Sequence, residues 1–363
     1  MKRNIIVFHL LNNYTGSPMI LRNVLQELVR KDYSVELYTS DSEGFLSGIE
    51  DVKRHGNFYF RSKLRVITFF SFFISQFFLF FVILFKKYDR NSVVYVNTIL
   101  PFSGILLAKV RRFPVIVHVH EDKVSPRLLN SFLFFVVNRL ADHIVLVSNY
   151  LRKNHQNTGS EVSVIYNSVS QEFASYPREI KSTCNSVFNV LMLASLRPYK
   201  GVNEFLSLAK SLSNLTFCLV LSESVKDVSD FVSKVVIPNN MKIFPTQKNV
   251  HVHYQHADLV VNLSDKNSWI ETFGMTILEA MNYGLPVIVP TVGGITELVQ
   301  DGENGFLIDS SDLKGLIGKI RLLASEPAIW KKMSIKSVEN AGLFTNEKFK
   351  SGIAELVDKF FED

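Results

Sequence analysis

At 363 residues the chain is long for one compact core and sufficient for two domains of ordinary size. A composition of 47% hydrophobic and 20% charged residues excludes disorder, and two cysteines, Cys184 and Cys218, exclude a disulfide scaffold and a Cys-based zinc site and fit a reducing compartment. The net charge of +6 is uneven: residues 1–168 carry 21 Lys+Arg against 12 Asp+Glu, and the remainder 19 against 22.

The chain opens with an apolar run at 5–11. It is too short for a signal-peptide core followed by a cleavage site, and it reads as a buried first strand. Short Val- and Ile-rich runs recur at 35–39, 93–97, 115–120, 144–148 and 162–166. Helix-length segments at 18–30, 101–110 and 125–140 separate them, which predicts repeated β-α-β units and a parallel sheet covered on both faces. A polar stretch at 168–186 reads as an interdomain connection. A second alternating series follows, with strands at 187–193, 215–221, 259–264, 286–289 and 305–308. Its helices fall at 202–212, 273–283, 311–324, 328–342 and 346–361. The expected domains are therefore 1–168 and 187–345, with a C-terminal helix over 346–363 crossing back to the first. Doubly wound α/β domains of this kind bind ligands at the carboxyl ends of their strands, which places the expected site in a cleft between the two.

Residues 66–85, VITFFSFFISQFFLFFVILF, hold nine phenylalanines and are long enough to span a bilayer. Thr68, Ser71 and Ser75 mark a polar edge at helical spacing, and the segment sits where the first domain needs a crossover helix. Basic residues flank it: Lys63 and Arg65 before, Lys86, Lys87 and Arg90 after. Between Lys53 and Arg112 eleven basic residues meet one acid, Asp89. The favoured placement is a helix packed partly on the sheet and partly in the interface of an anionic membrane through 63–90. A wholly buried helix and a true span are the alternatives.

The stretch 269–284, WIETFGMTILEAMNYG, carries the densest chemistry. Glu271 precedes a helix opened by Phe273-Gly274, and Glu279 lies inside it. Seven intervening residues make about two turns, so both carboxylates can lie to one side. Free N–H groups at Gly274, Met275 and Thr276 make an anion site suited to phosphate. Read alone, the pair is equally an acidic first turn and a solvated glutamate. Downstream come GLPVIVP at 284–290, Gly293-Gly294, Glu297 and Asn304-Gly305. With these the sequence resembles the retaining GT-B glycosyltransferases of the group 1 / family 4 type, over most of its length and most strongly from 188 to 309.

The resemblance implies two Rossmann-like doubly wound domains facing across a cleft, and transfer from a nucleotide-sugar donor, itself a substrate and not a cofactor. Glu271 would contact hydroxyls of the transferred sugar and Glu279 the ribose, with Phe273, Gly274, Met275 and Thr276 around the phosphates. Arg197 and Lys200, in SLRPYKG at 195–201, would steady the leaving diphosphate through charge. Their two-residue separation is shorter than the family's common spacing. In the first domain Gly16 lies in the loop between first strand and first helix, and Asn167 matches a loop asparagine, followed here by Ser168 where the family favours glycine. His120, in VIVHVHE at 115–121, matches a cleft histidine on the acceptor side, whereas His118 reads as a core residue.

There is no D-x-D metal motif, which fits metal-independent chemistry, and no G-x-G-x-x-G. The expected acceptor is a saccharide or lipid-linked saccharide of surface-polysaccharide assembly, with no nucleic acid, on the cytoplasmic face of the cell membrane. A GT-B binding protein without transferase activity and a GT-B phosphorylase or epimerase are the alternatives.

Overall fold

The computed structural model describes residues 3–59, 62, 64–156 and 158–362, without the side chain of Arg65. It divides into two units, Met1–Ser170 with Asn346–Asp363, and Gln171–Thr345.

The first unit runs β1 (Asn4–Phe8), α1 (Gly16–Arg30), β2 (Ser34–Ser40), β3 (Val52–Asn57), α2 (Arg65–Leu84), β4 (Ser92–Asn97), α3 (Phe102–Arg111), β5 (Val115–Val119), α4 (Arg127–Leu140), β6 (His143–Leu146) and β7 (Glu161–Val164). All described pairings are parallel, in the order β3-β2-β1-β4-β5-β6-β7. Strands β1, β4 and β5 are buried almost throughout, as their unbroken aliphatic runs require of a sheet covered on both faces.

The second unit runs α5 (Gln171–Ser175), β8 (Asn189–Ala194), α6 (Val202–Ser211), β9 (Thr216–Leu221), α7 (Val225–Val232), β10 (Met241–Phe244), α8 (His251–His256), β11 (Leu259–Val261), α9 (Met275–Asn282), β12 (Val287–Val289), β13 (Gly305–Leu307), α10 (Leu313–Ser325) and α11 (Pro327–Ala341). Its strand order is β10-β9-β8-β11-β12-β13. In both sheets the order reverses beside the first strand, between β1 and β4 and between β8 and β11, which is where doubly wound folds take ligands. The last helix, α12 (Asn346–Lys359), rejoins the first unit: it packs on α1, and Asn346 Nδ2 donates to the Val169 carbonyl at 3.0 Å.

Past Ser170, the stretch read as a connection belongs to the second unit. Lys181 pairs with the fully buried Asp258 at 2.9 Å, and Asn185 donates to the same carboxylate. Trp330, also fully buried, donates its indole N–H to the Asp258 carbonyl. A buried carboxylate is tolerated there because several donors share it.

In helix α2 the polar edge faces the protein. Ser75 and Gln76 are 0% and 1% exposed, and they bond inward: Asn57 donates to Ser75 Oγ, and Ser103 to Gln76 Oε1. The phenylalanines turn outward, with Phe70, Phe77 and Phe78 about 60% exposed. Val66–Leu84 is long and apolar enough to cross a membrane, with a mean hydropathy of 2.3 and one third of its residues buried. Lys63 lies outside the described residues. Lys86 does not stand free as a flanking charge: it pairs with Glu36 and donates to Tyr38.

Candidate active site

The second sheet's switch point assembles the cluster. After β8 the chain turns through a 3-10 segment, Pro198–Lys200, which projects Lys200 toward β11. Lys200 Nζ pairs directly with Glu271 Oε1, and Ser264 Oγ donates to the same oxygen at 2.8 Å. Asn262 Oδ1 accepts the Ser264 N–H, fixing the loop that leaves β11. That strand ends at Val261 instead of the expected 264, because Asn262 and Ser264 are occupied with this loop. The Asp265 N–H donates to the Tyr199 carbonyl at 2.8 Å, and the Tyr199 and Trp269 rings stack at 5.1 Å. Lys200 Nζ lies 5.3 Å from the Trp269 ring centre, a cation–π contact that limits its motion.

Burial acts to raise the Glu271 carboxyl pKa, but the Lys200 charge and hydrogen bonds from Lys200, Ser264 and Asn262 outweigh it and hold the group below its ordinary value. Glu271 is thus an anion held by a cation, in a chain segment that precedes the helix. Its placement comes from Lys200 and Ser264, and the two-turn helical spacing to Glu279 plays no part. Gly293 (φ +116°) is required beside it, since a Cβ there would meet the Glu271 carbonyl oxygen at 2.4 Å.

Helix α9 starts later than expected, at Met275, with Gly274 as its N-cap (φ +104°). A Cβ on Gly274 would also strike Ile295 at 2.6 Å. Ile277 and Leu278 donate back to the Gly274 carbonyl, so the N–H groups of Met275 and Thr276 belong to the set that a helix leaves for an external acceptor. The Phe273 side chain is buried edge-on to Phe344, so it anchors this turn and only its backbone borders the site.

Glu279 accepts from the Tyr254 hydroxyl at 2.6 Å. Burial nevertheless raises its carboxyl pKa to about 7. The folded pKa lies above the unfolded one, so the native state binds more protons and stability falls as pH rises from about 4.5 to about 7. Glu279→Gln is expected to flatten that part of the pH–stability curve, measured as urea midpoints at several pH values. A curve identical to wild type would contradict this environment for Glu279. Arg197 begins the same 3-10 turn as Lys200 but is exposed, and among the described residues no hydrogen bond or ion pair engages its guanidinium. The structure therefore joins Lys200, and not Arg197, to the carboxylate cluster.

The first unit has its own polar group at its switch point. His120 Nε2 lies 3.0 Å from Asn97 Oδ1, and its ring lies 4.4 Å from that of His118. Burial first, then the His118 and His9 rings, lower its pKa well below the ordinary value, so it is neutral. His118 is fully buried, with Nδ1 2.8 Å from the Tyr95 hydroxyl and a pKa lowered to about 3 by burial. Glu121 accepts the N–H groups of Ile99 and His120, and burial raises its pKa to about 7. Gly16 is the exposed first residue of α1 with open space around it, so local sterics do not demand glycine there. Asn167 is buried in the loop after β7, and its Oδ1 has no partner among the described residues.

No sequence motif singles out Asn262, Ser264 and Tyr254, which hold the two glutamates, or His9 and Asn97 beside His120. His9 directly follows β1 and Asn97 ends β4, so position at the switch point was the available signal.

A fold of two doubly wound domains with polar clusters at the switch points is that of the GT-B class. Solved GT-B structures share it: Anabaena HepE in complex with UDP-glucose superposes with a TM-score of 0.76 at 20% identity, covering 98% of this chain and 99% of that one. The Glyco_transf_4 model (Glycosyltransferase Family 4) matches residues 14–173, and the Glycos_transf_1 model (Glycosyl transferases group 1) matches 184–341. The chain belongs to the group 1 / family 4 glycosyltransferases. Among curated proteins, an uncharacterised glycosyltransferase of Methanocaldococcus jannaschii is 25% identical over 270 residues, 70% of this chain and 71% of the relative. The N-acetyl-alpha-D-glucosaminyl L-malate synthase of Bacillus anthracis is 25% identical over 260 residues, 66% of each chain.

Proposed function

We propose that this glycosyltransferase retains anomeric configuration and transfers a hexose or related sugar from a nucleoside-diphosphate donor to a saccharide or lipid-linked acceptor in surface-polysaccharide assembly. The observation that carries this reading is the Lys200–Glu271 pair in the segments leading to the N-terminus of α9, with Glu279 about one turn inside that helix. As the C1–O bond to the diphosphate breaks, negative charge grows on the departing phosphate, where Lys200 and the Met275 and Thr276 N–H groups are suited to receive it. Glu271 then accepts hydroxyls of the sugar and Glu279 those of the ribose. Arg197, unengaged among the described residues at the same turn, is available to close on the diphosphate once it is bound.

A uridine donor is the first to test, because Anabaena HepE was solved with UDP-glucose. Surface saccharides are favoured because a structural neighbour, WaaG, is described as involved in lipopolysaccharide biosynthesis. Incubation with labelled UDP-, GDP- and dTDP-sugars is expected to give slow hydrolysis of one donor, with faster turnover when a saccharide acceptor is present. Nucleotide binding without turnover would favour a binding protein, and epimer formation would favour an epimerase.

The same reading places the enzyme at the cytoplasmic surface of the membrane through α2. Its outward face of Phe70, Ile74, Phe77, Phe78, Phe81 and Phe85 is a larger apolar surface than a soluble face usually carries, and exposed Lys87 and Arg90 stand at its end. Each Lys or Arg close to an anionic surface contributes about 1 kcal/mol, and salt screens it. The protein is expected to co-sediment with anionic vesicles, far less with neutral ones, and to be partly released by salt. Lys87→Glu with Arg90→Glu should weaken binding without altering donor hydrolysis. Lys86 is unsuited to this test because it is paired with Glu36. Protein that stays in the supernatant with anionic vesicles at low salt would rule out docking, and extraction only by detergent would indicate a span.

A further inference from the structure

The carboxyl edge of the first sheet contains a run of polar groups that decides which nitrogen of His120 carries its proton. Asn97, at the end of β4, is fully buried between His9, which follows β1, and His120, which follows β5. Asn97 Nδ2 lies 3.2 Å from the Ser17 carbonyl oxygen, an atom that only accepts, so this corner of the amide must be the NH2 group. The same nitrogen stands 3.0 Å from His9 Nδ1. The opposite corner, Oδ1, therefore faces His120 Nε2 at 3.0 Å, and an oxygen there requires Nε2 to be the donor. In a neutral imidazole that leaves the lone pair on Nδ1, and among the described residues no group takes up that nitrogen.

We propose that Asn97 is a positioning residue that locks His120 in the Nε2–H tautomer, so that Nδ1 is the hydrogen-bond acceptor for the attacking hydroxyl of the sugar acceptor. The inference rests on the reading of His120 as an acceptor-side residue. The Ser17 carbonyl supplies the reference that orients the amide, and the His9 ring fills the space behind it. Asparagine suits this position because one planar group can donate on one side and accept on the other. Aspartate would keep the acceptor toward His120 and lose the donor toward Ser17, and leucine would lose both.

The tautomer can be read without substrate, from long-range proton–nitrogen correlation spectra of the protein labelled with 15N-histidine, using His120→Gln to assign the signals. Wild type is expected to show a protonated Nε2 and an unprotonated Nδ1 at neutral pH. Asn97→Asp should keep Nε2 protonated, whereas Asn97→Leu should show averaging between the two tautomers. In transfer assays Asn97→Leu should lower kcat on the order of tenfold with the donor KM unchanged, a smaller loss than the 10²–10⁴-fold typical of removing a general base. A proton on Nδ1 in wild type, or an unaltered tautomer in Asn97→Leu, would overturn the lock. Transfer by His120→Gln at the wild-type rate would overturn its catalytic consequence. Because the spectrum needs no substrate, a chain that turned over no nucleotide sugar would fail the transferase reading and still leave the lock to be decided by the spectrum.

Discussion

Lys200→Ala is expected to lower kcat for transfer by about 10²–10³-fold, the usual cost of removing one preorganised charge from a site where charge develops. Lys200 is 19% exposed and has Glu271 as its ionic partner, with the Trp269 ring to one side. Its charge is therefore fixed before substrate arrives and needs little reorganisation. The substitution has a second consequence: without Lys200, burial acts on Glu271 with less opposition, and the carboxyl pKa moves upward from its depressed value. The residual activity should then be lost as pH falls, in a range where wild type is still flat. Initial rates across pH, together with nucleotide affinity by titration calorimetry, check both parts. Unchanged rates and affinity would remove the phosphate role. Arg197→Ala should cost less, since its guanidinium is exposed and lies outside the carboxylate cluster.

Glu271→Ala should reduce transfer by a comparable factor while the protein stays folded. The contacts that shape this turn are made by the Glu271 backbone, whose carbonyl lies against Gly293 and accepts the Ile295 N–H. Deleting the side chain therefore removes the anion and spares the turn. Lys200 would lose its partner but retain access to water, which limits the penalty of an unpaired charge. Glu271→Gln is the sharper variant because its amide can still accept from Ser264 while the charge is gone. Transfer rates measured beside thermal melts separate the two effects. Wild-type activity in both variants would show that the motif does not serve the donor.

The parallel character of both sheets was legible because their central strands are uninterrupted aliphatic runs. The strands that escaped notice lie at sheet edges. Strand β3, VKRHGN, is half exposed and polar, and β10 is only four residues long, so neither carries the pattern of a buried strand. Helices α7 and α8, eight and six residues long, are too short for a clear apolar period. In α2 the serine spacing correctly marked one side of the helix, but the period alone does not say whether a polar edge faces water or protein. Inward hydrogen bonds from Asn57 and Ser103 settle that direction.

Within the candidate site, Glu271, Glu279 and Lys200 were legible as residue types at suggestive positions. Their joining was not, because the Lys200–Glu271 pair crosses from the turn after β8 to the loop after β11, 71 residues apart. Ser264 and Asn262 looked like the end of a strand, and only the geometry shows them turning to hold a carboxylate. His120 was singled out by its place at a strand end, whereas the role of Asn97 depends on the carbonyl of Ser17, 80 residues earlier.

The central claim, that a nucleotide sugar is held at the carboxyl edge of the second sheet, is tested most directly by hydrogen exchange of the intact chain with and without UDP, GDP or dTDP. One nucleotide is expected to slow exchange in peptides covering residues 195–201 and 269–279, with Met275 and Thr276 among the most protected amides. Glu279→Ala should diminish that protection. Protection confined to other segments, or none with any of the three nucleotides at millimolar concentration, would contradict the account.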